Sequence, residues 1–143
     1  MPVPANFSIV TLGVADLDRS IAVYEAWGWE MRGARHDGIV WFKTAATWLG
    51  LFPMAELAED VGLENPAMLP AFRGSTLAIN VLSTEEVDDA FAVVVAAGAT
   101  LVKAPESMEW GGYAGYVADP DGHLWEICYN PFFMITEGQI HIP

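Results

Sequence analysis

Cations, cysteine and long apolar runs are what this chain has least of. Six Lys+Arg stand against nineteen Asp+Glu in 143 residues, a formal charge of -13. A surface of that sign repels phosphate backbones, which excludes nucleic acid as an expected partner. It either serves solubility alone or draws cationic small molecules by long-range attraction. One cysteine, Cys128, excludes an internal disulfide and a cysteine-based zinc cluster. No run approaches the ~18 apolar residues that span a bilayer, so no membrane partner is expected. The opening Met1-Pro2-Val3-Pro4-Ala5-Asn6 lacks a basic segment followed by an apolar stretch. No signal peptide is therefore expected, and the expected location is cytoplasmic. What the chain does have is apolar content: 53% of its residues, enough for a packed interior and too much for disorder. Its length suits one domain, or two small modules sharing a core.

Periodicity favours the two modules. Residues 8–14 alternate as a strand. Asp16 then caps a helix carrying Leu17, Ile21, Ala22, Val23 and Tyr24, which Gly28 stops. Short strands are predicted near 29–33, 38–43 and 47–52. The order then repeats. Residues 75–82 read as a strand, and Ser83 and Glu86 form a capping box. Val87, Phe91, Val94 and Val95 make an apolar helical stripe that ends at Gly98. Strands follow near 99–103, 112–118 and 123–129. The chain thus divides into module 1 (about 7–52), a proline-marked connector (53–74) with a helical piece at 55–60, module 2 (about 75–130) and an irregular tail (131–143). Each module reads β-α-β-β-β. A repeat so short cannot bury its own sheet face, so the two should pair into one α+β domain.

Two stretches are the most specific: Val14-Ala15-Asp16-Leu17-Asp18-Arg19-Ser20-Ile21-Ala22-Val23-Tyr24, and Asp119-Pro120-Asp121-Gly122-His123-Leu124-Trp125-Glu126. Paired modules ending in Asp-Pro-Asp-Gly-x-x-x-Glu resemble the vicinal oxygen chelate superfamily, which holds glyoxalases, bleomycin-resistance proteins and extradiol dioxygenases. The resemblance covers roughly residues 7–131. It implies a mixed sheet curled into a cup with helices outside, and a homodimer. It also implies metal ligands, usually His and Glu, on the first and last strand of each module. Carried over, those positions are Ile9, Gly50, Thr76 and Glu126. Isoleucine and glycine have no side-chain donor and threonine is a poor one. One carboxylate cannot supply the coordination a catalytic divalent ion needs, so neither a metal nor another cofactor is expected.

Glu126 shares a strand face with Leu124 and Cys128. A lone acid in a partly apolar pocket suits acid/base work, or remains as a hydrogen-bonded relic. By alternation the cup also receives Thr11, Gly13, Trp48, Phe52, Ala78 and Asn80. Among six tryptophans, Trp48 and Trp110 are the candidates for ligand stacking. Trp110 opens the Gly-rich turn Trp110-Gly111-Gly112-Tyr113, which would bring Tyr113 to the mouth. The candidate ligand-binding set is therefore Thr11, Trp48, Gly50, Phe52, Thr76, Asn80, Trp110 and Tyr113. His123 is expected to close its turn, His36 to lie in a hairpin loop beside Arg35 and Asp37, and His141 to be exposed in the tail. Three functions compete. The first is binding of a small hydrophobic or aromatic molecule, neutral or cationic. The second is a metal-independent lyase or isomerase with Glu126 as acid/base. The third is a metal enzyme of glyoxalase or dioxygenase type.

Overall fold

The structure, a computed structural model, describes residues 2–33 and 38–143. The loop reading of Arg35, His36 and Asp37 lies outside the described residues. The first module runs β1 (Ile9–Val14), α1 (Leu17–Ala26), β2 (Met31–Arg32), β3 (Val40–Phe42) and β4 (Trp48–Pro53). A connector helix, α2 (Met54–Val61), follows. The second module is β5 (Leu77–Val81), α3 (Thr84–Ala96), β6 (Thr100–Ser107), β7 (Tyr113–Ala118) and β8 (Leu124–Tyr129). Each module forms a four-stranded mixed sheet, ordered β1-β4-β3-β2 and β5-β8-β7-β6. In each, the first and last strands pair in parallel and the rest antiparallel. The β-α-β-β-β repeat expected from periodicity is therefore the architecture, an α+β fold.

Local chemistry sets the helix ends. The Asp16 side chain accepts from the Arg19 amide at 3.1 Å and starts α1. Gly28, at φ 91°, ends it in a left-handed turn that a Cβ would disfavour. At α3 the Ser83 hydroxyl accepts from the Glu86 amide (3.1 Å), while the Glu86 carboxylate reaches back to the Leu82 amide (2.8 Å). The cap works as predicted, with the return bond one residue further back. Val87, Phe91 and Val94 are buried, but Val95 is 44% exposed, and Ala22 of α1 is also exposed. Both sit next to a buried neighbour, and one residue is a 100° step around a helix.

The buried faces of both modules join in one core. Leu12 and Val14 of β1, Leu49 and Leu51 of β4, and Trp125 and Ile127 of β8 meet Ile21 and Tyr24 of α1 and Val87, Phe91 and Val94 of α3. The alternate residues point to the opposite, open face. In module 1 these are Ile9, Thr11 and Gly13 on β1, paired with Trp48, Gly50 and Phe52 on β4. Part of that face is covered by the connector. A Cβ on Gly13 would stand 2.6 Å from Met54 Sδ and 3.3 Å from Leu57 Cδ2, so the Met54 side chain packs into the space that glycine leaves.

The tail is not irregular throughout. Met134–Thr136 (β9) and Gln139–His141 (β10) pair antiparallel. Glu137 at φ 51° and Gly138 at φ 78° form the two-residue turn between them, the positive-φ geometry that suits hairpin twist. Three-residue strands are too short to show alternation, and Glu-Gly is a weaker hairpin signal than Asn-Gly.

Candidate functional site

The two stretches that stood out in the sequence lie against each other and lock the modules together. Asp119 is buried. Its Oδ1 accepts from the amides of Asp121 (3.0 Å) and His123 (2.8 Å), which closes the turn. Its Oδ2 accepts from the Tyr24 hydroxyl at 2.7 Å, and that hydroxyl accepts in turn from Trp125 Nε1 at 3.1 Å. Burial, and then the Asp119 carboxylate, push the Tyr24 phenol far above its ordinary value, so it stays a donor. Asp121 reaches the start of α1, accepting from the Ala15 amide (2.8 Å), Ser20 Oγ (3.3 Å) and the Arg19 guanidinium (3.4 Å). Tyr24 also anchors an aromatic cluster: Trp27, Trp29, Phe42 and Trp125 all lie within 6.1 Å of it, centroid to centroid.

His123 does more than close its turn. Its Nε2 sits 2.8 Å from the Gly13 carbonyl on β1, and its Nδ1 sits 3.3 Å from Arg73 Nη1. With the proton on Nε2, the ring donates to β1 and accepts from the connector. It spans the seam between the sheets, where β1 and β5 are the facing edges.

Two cavities lie along that seam. The larger, about 620 Å³, takes its walls from β1, β4 and β5. Its aromatic side chains are Phe7, Trp29, Trp48 and Trp125, and Thr76, Asn80 and Gln139 offer polar atoms. One rim is the loop Thr44–Thr47, held by Thr44 Oγ1 on the Thr47 carbonyl and by Thr47 Oγ1 on the Phe7 carbonyl (3.2 Å). The tail hairpin seats on this loop. Gln139 Nε2 donates to the Ala45 carbonyl at 3.3 Å, and a Cβ on Gly138 would stand 2.9 Å from Ala45 Cβ. The smaller cavity, about 240 Å³, is bounded by Arg73, Ser75, Thr76 and His123 with Leu12 and Leu124. Val10, Thr76 and Leu77 line both.

Of the residues singled out in the sequence, Trp48, Thr76 and Asn80 come together around the larger cavity. Thr11, Gly50 and Phe52 share the open face of module 1 but do not line it. Tyr113 faces the helices instead of the open face, and its hydroxyl donates to Asp88 of α3 at 2.7 Å. The pleat explains this: Tyr113 is three residues from Tyr116, which pairs with Glu126, so the two point to opposite faces. The Trp110 indole folds over its own turn, so close that a Cβ on Gly112 would overlap it. His141 is exposed and meets Thr136 Oγ1 within the hairpin.

Glu126 is half-buried, and its Oε2 accepts from the Tyr116 hydroxyl at 3.0 Å. Burial, and then the Glu126 carboxylate, raise the Tyr116 phenol. Cys128 lies two residues along the same face. Its thiol is raised too, first by burial and then by Glu126, so it is held as an unreactive thiol. Phe7, Trp29, Trp125, Tyr116 and Arg73 are site residues that sequence reasoning missed. Tyr116 could have been found by extending the β7–β8 hairpin register back from the Asp-Gly turn. The others depend on contacts between modules, which leave no local pattern.

The residues at the four expected ligand positions do not fit a divalent metal. Gly50 sits in a close-packed spot, where a Cβ would meet Thr11 Oγ1 at 3.1 Å and Ile9 Cγ2 at 3.5 Å. Even a Cβ there would ask Thr11 to give by a few tenths of an ångström. Among the described residues no three His, Cys, Asp or Glu side chains converge.

Similarity to known proteins extends over most of the chain. A sequence model described as the Glyoxalase/Bleomycin resistance protein/Dioxygenase superfamily matches residues 6–127. A crystal structure of a glyoxalase-related enzyme from Fulvimarina pelagi is 34% identical and covers 96% of this chain and 98% of that one, with a TM-score of 0.84. A glyoxalase/bleomycin resistance protein/dioxygenase family enzyme from Burkholderia phytofirmans is 24% identical, covers 85% of this chain and 96% of that one, and has a TM-score of 0.73; at that identity the likeness is one of fold. An uncharacterized protein of Mycobacterium bovis is 41% identical over 61 residues, 43% of this chain and 40% of that protein. The match thus spans less than half the length of that relative.

Proposed function

The chain belongs to the Glyoxalase/Bleomycin resistance protein/Dioxygenase superfamily, and from that premise we propose that it binds a small hydrophobic, aromatic molecule at the seam between its modules, without a divalent metal. The observation that carries this is the cavity of about 620 Å³ walled by Phe7, Trp29, Trp48 and Trp125. Its size suits one small organic molecule, and its few polar groups suit orientation more than chemistry. The donor-poor set Ile9, Gly50 and Thr76 supports the absence of metal, because these side chains cannot replace the water around a divalent ion. On the same reading the chain acts as a homodimer. Leu101 and Val102, 52% and 54% exposed on the edge strand β6, supply apolar surface for a second copy.

One observation favours a second reading, a metal-independent lyase or isomerase. The Tyr116 hydroxyl on Glu126 gives a carboxylate a proton-bearing neighbour on an open face. The glyoxalase-related relative is itself described as an enzyme. Glu126 does not line the larger cavity, so ligand binding ranks first.

The test is tryptophan fluorescence titrated with naphthalene-2-carboxamide. Trp48→Ala is expected to weaken binding about five- to tenfold, the worth of one aromatic contact. Trp110→Ala is expected to leave it unchanged. Equal affinity in the parent and Trp48→Ala would remove the seam as the site.

A further inference from the structure

We propose that the seam site takes an anion: its ligand carries a carboxylate that docks on Arg73, with its apolar body in the aromatic cavity. This rests on the binding reading above and names the class of ligand.

Arg73, seated on the Asp-Pro-Asp-Gly turn, is a cation with no direct ion pair among the described residues of an acidic chain. Arg19 pairs with Asp121, Arg32 with Glu30, and Lys103 with Glu106. Arg73 has no carboxylate partner among the described residues, though the chain carries thirteen more acids than Lys and Arg. A guanidinium offers five N–H donors. Here Nη2 donates to the Asp121 carbonyl and Nη1 to His123 Nδ1. Both acceptors are uncharged, and Nε is buried without any acceptor among the described residues. A buried N–H of a charged group left unpaired is costly, and the guanidinium borders the smaller cavity, where its Nη groups carry N–H donors beyond those two bonds.

The group is also held in place. His123 is fixed by its bond to the Gly13 carbonyl, so its Nδ1 orients the guanidinium. Gly122, at φ 83°, lets the turn approach closely, since a Cβ there would stand 3.0 Å from Arg73 Nη2. The Asp-Pro-Asp-Gly turn thus serves as a seat for the arginine.

The surroundings select a carboxylate. The cavity of about 240 Å³ beside Arg73 also offers the Ser75 and Thr76 hydroxyls, while Val10, Leu12, Leu77 and Leu124 make the rest apolar. One guanidinium and two hydroxyls match one planar, singly charged group. A phosphate dianion would bring a second negative charge to a cavity with one cation, in a protein of charge -13. Val10, Thr76 and Leu77 line both cavities, so the two adjoin, and the proposed ligand sets its head at Arg73 and its aromatic body toward Trp48. The long-range field favours cations, but a part-buried contact is screened less and acts at close range.

The experiment compares naphthalene-2-carboxylate with naphthalene-2-carboxamide by calorimetry at pH 7, against the parent, Arg73→Gln and Arg73→Lys. The parent is expected to prefer the carboxylate at least tenfold. Arg73→Gln should abolish that preference, with an unchanged circular dichroism spectrum showing that the variant is folded. Arg73→Lys keeps the charge but not the fork, and should lose about three- to tenfold on the carboxylate alone. If Arg73→Gln fails to fold, Arg73→Lys decides: an unchanged carboxylate affinity overturns the proposal. A parent that binds both probes equally, or prefers the amide, overturns the anion and leaves the aromatic site standing. A parent that binds neither overturns the seam site, and the anion with it.

Discussion

Asp119 was legible as a turn residue in Asp-Pro-Asp-Gly, yet its larger role was not. The turn amides use one of its oxygens and Tyr24, 95 residues away, uses the other. Local pattern reports the first partner and is silent on the second, because tertiary contacts leave no spacing. The same holds for His123, readable as a turn residue but not as the link from β8 to β1 and Arg73. The Tyr24 hydroxyl is both donor to Asp119 and acceptor from Trp125 in a buried site. Tyr24→Phe removes it and leaves both without that partner. The expected loss is about 1–3 kcal/mol of stability, measured as a lower urea midpoint at unchanged slope. An unchanged midpoint would mean that the latch contributes nothing to holding the modules together.

Elements with long periodic patterns were legible, and short ones were not. The stripe of α3 and the alternation of β1 and β8 each span enough residues to show their period. The hairpin of β9 and β10 does not, and it borders the larger cavity through Gly138, Gln139 and Ile140. Its seat is close, with Gly138 against Ala45. Gly138→Val puts a branched side chain at a positive φ and against Ala45, so the hairpin should lift from the loop Thr44–Thr47. Affinity for naphthalene-2-carboxamide is expected to fall at least threefold, with little change in the unfolding midpoint of the core. If affinity holds, the hairpin is not part of the binding wall.

At the scale of the whole molecule, two modules and a connector could be read from repeat order, and the seam could not. Alternation along the strands points to candidate residues on one open face. Alternation is a property of single strands. The larger cavity instead draws Trp48, Ala78 and Asn80 from that face and Val10, Leu77 and Trp125 from the core side, because it opens where two sheet edges meet. Among the described residues no helix is long and apolar enough to cross a membrane. For the homodimer proposed on the exposed apolar residues of β6, light scattering of the eluting protein should give twice the 15.5 kDa of one chain. A mass of one chain at micromolar concentration would set the dimer aside.

Calorimetry with the neutral amide before and after chelation tests the proposed metal-free aromatic site most directly. Protein dialysed against a chelator should bind naphthalene-2-carboxamide at one molecule per chain, with a Kd unchanged by the treatment or by added zinc, nickel or manganese. Binding that disappears on chelation and returns with one equivalent of divalent ion would contradict the account.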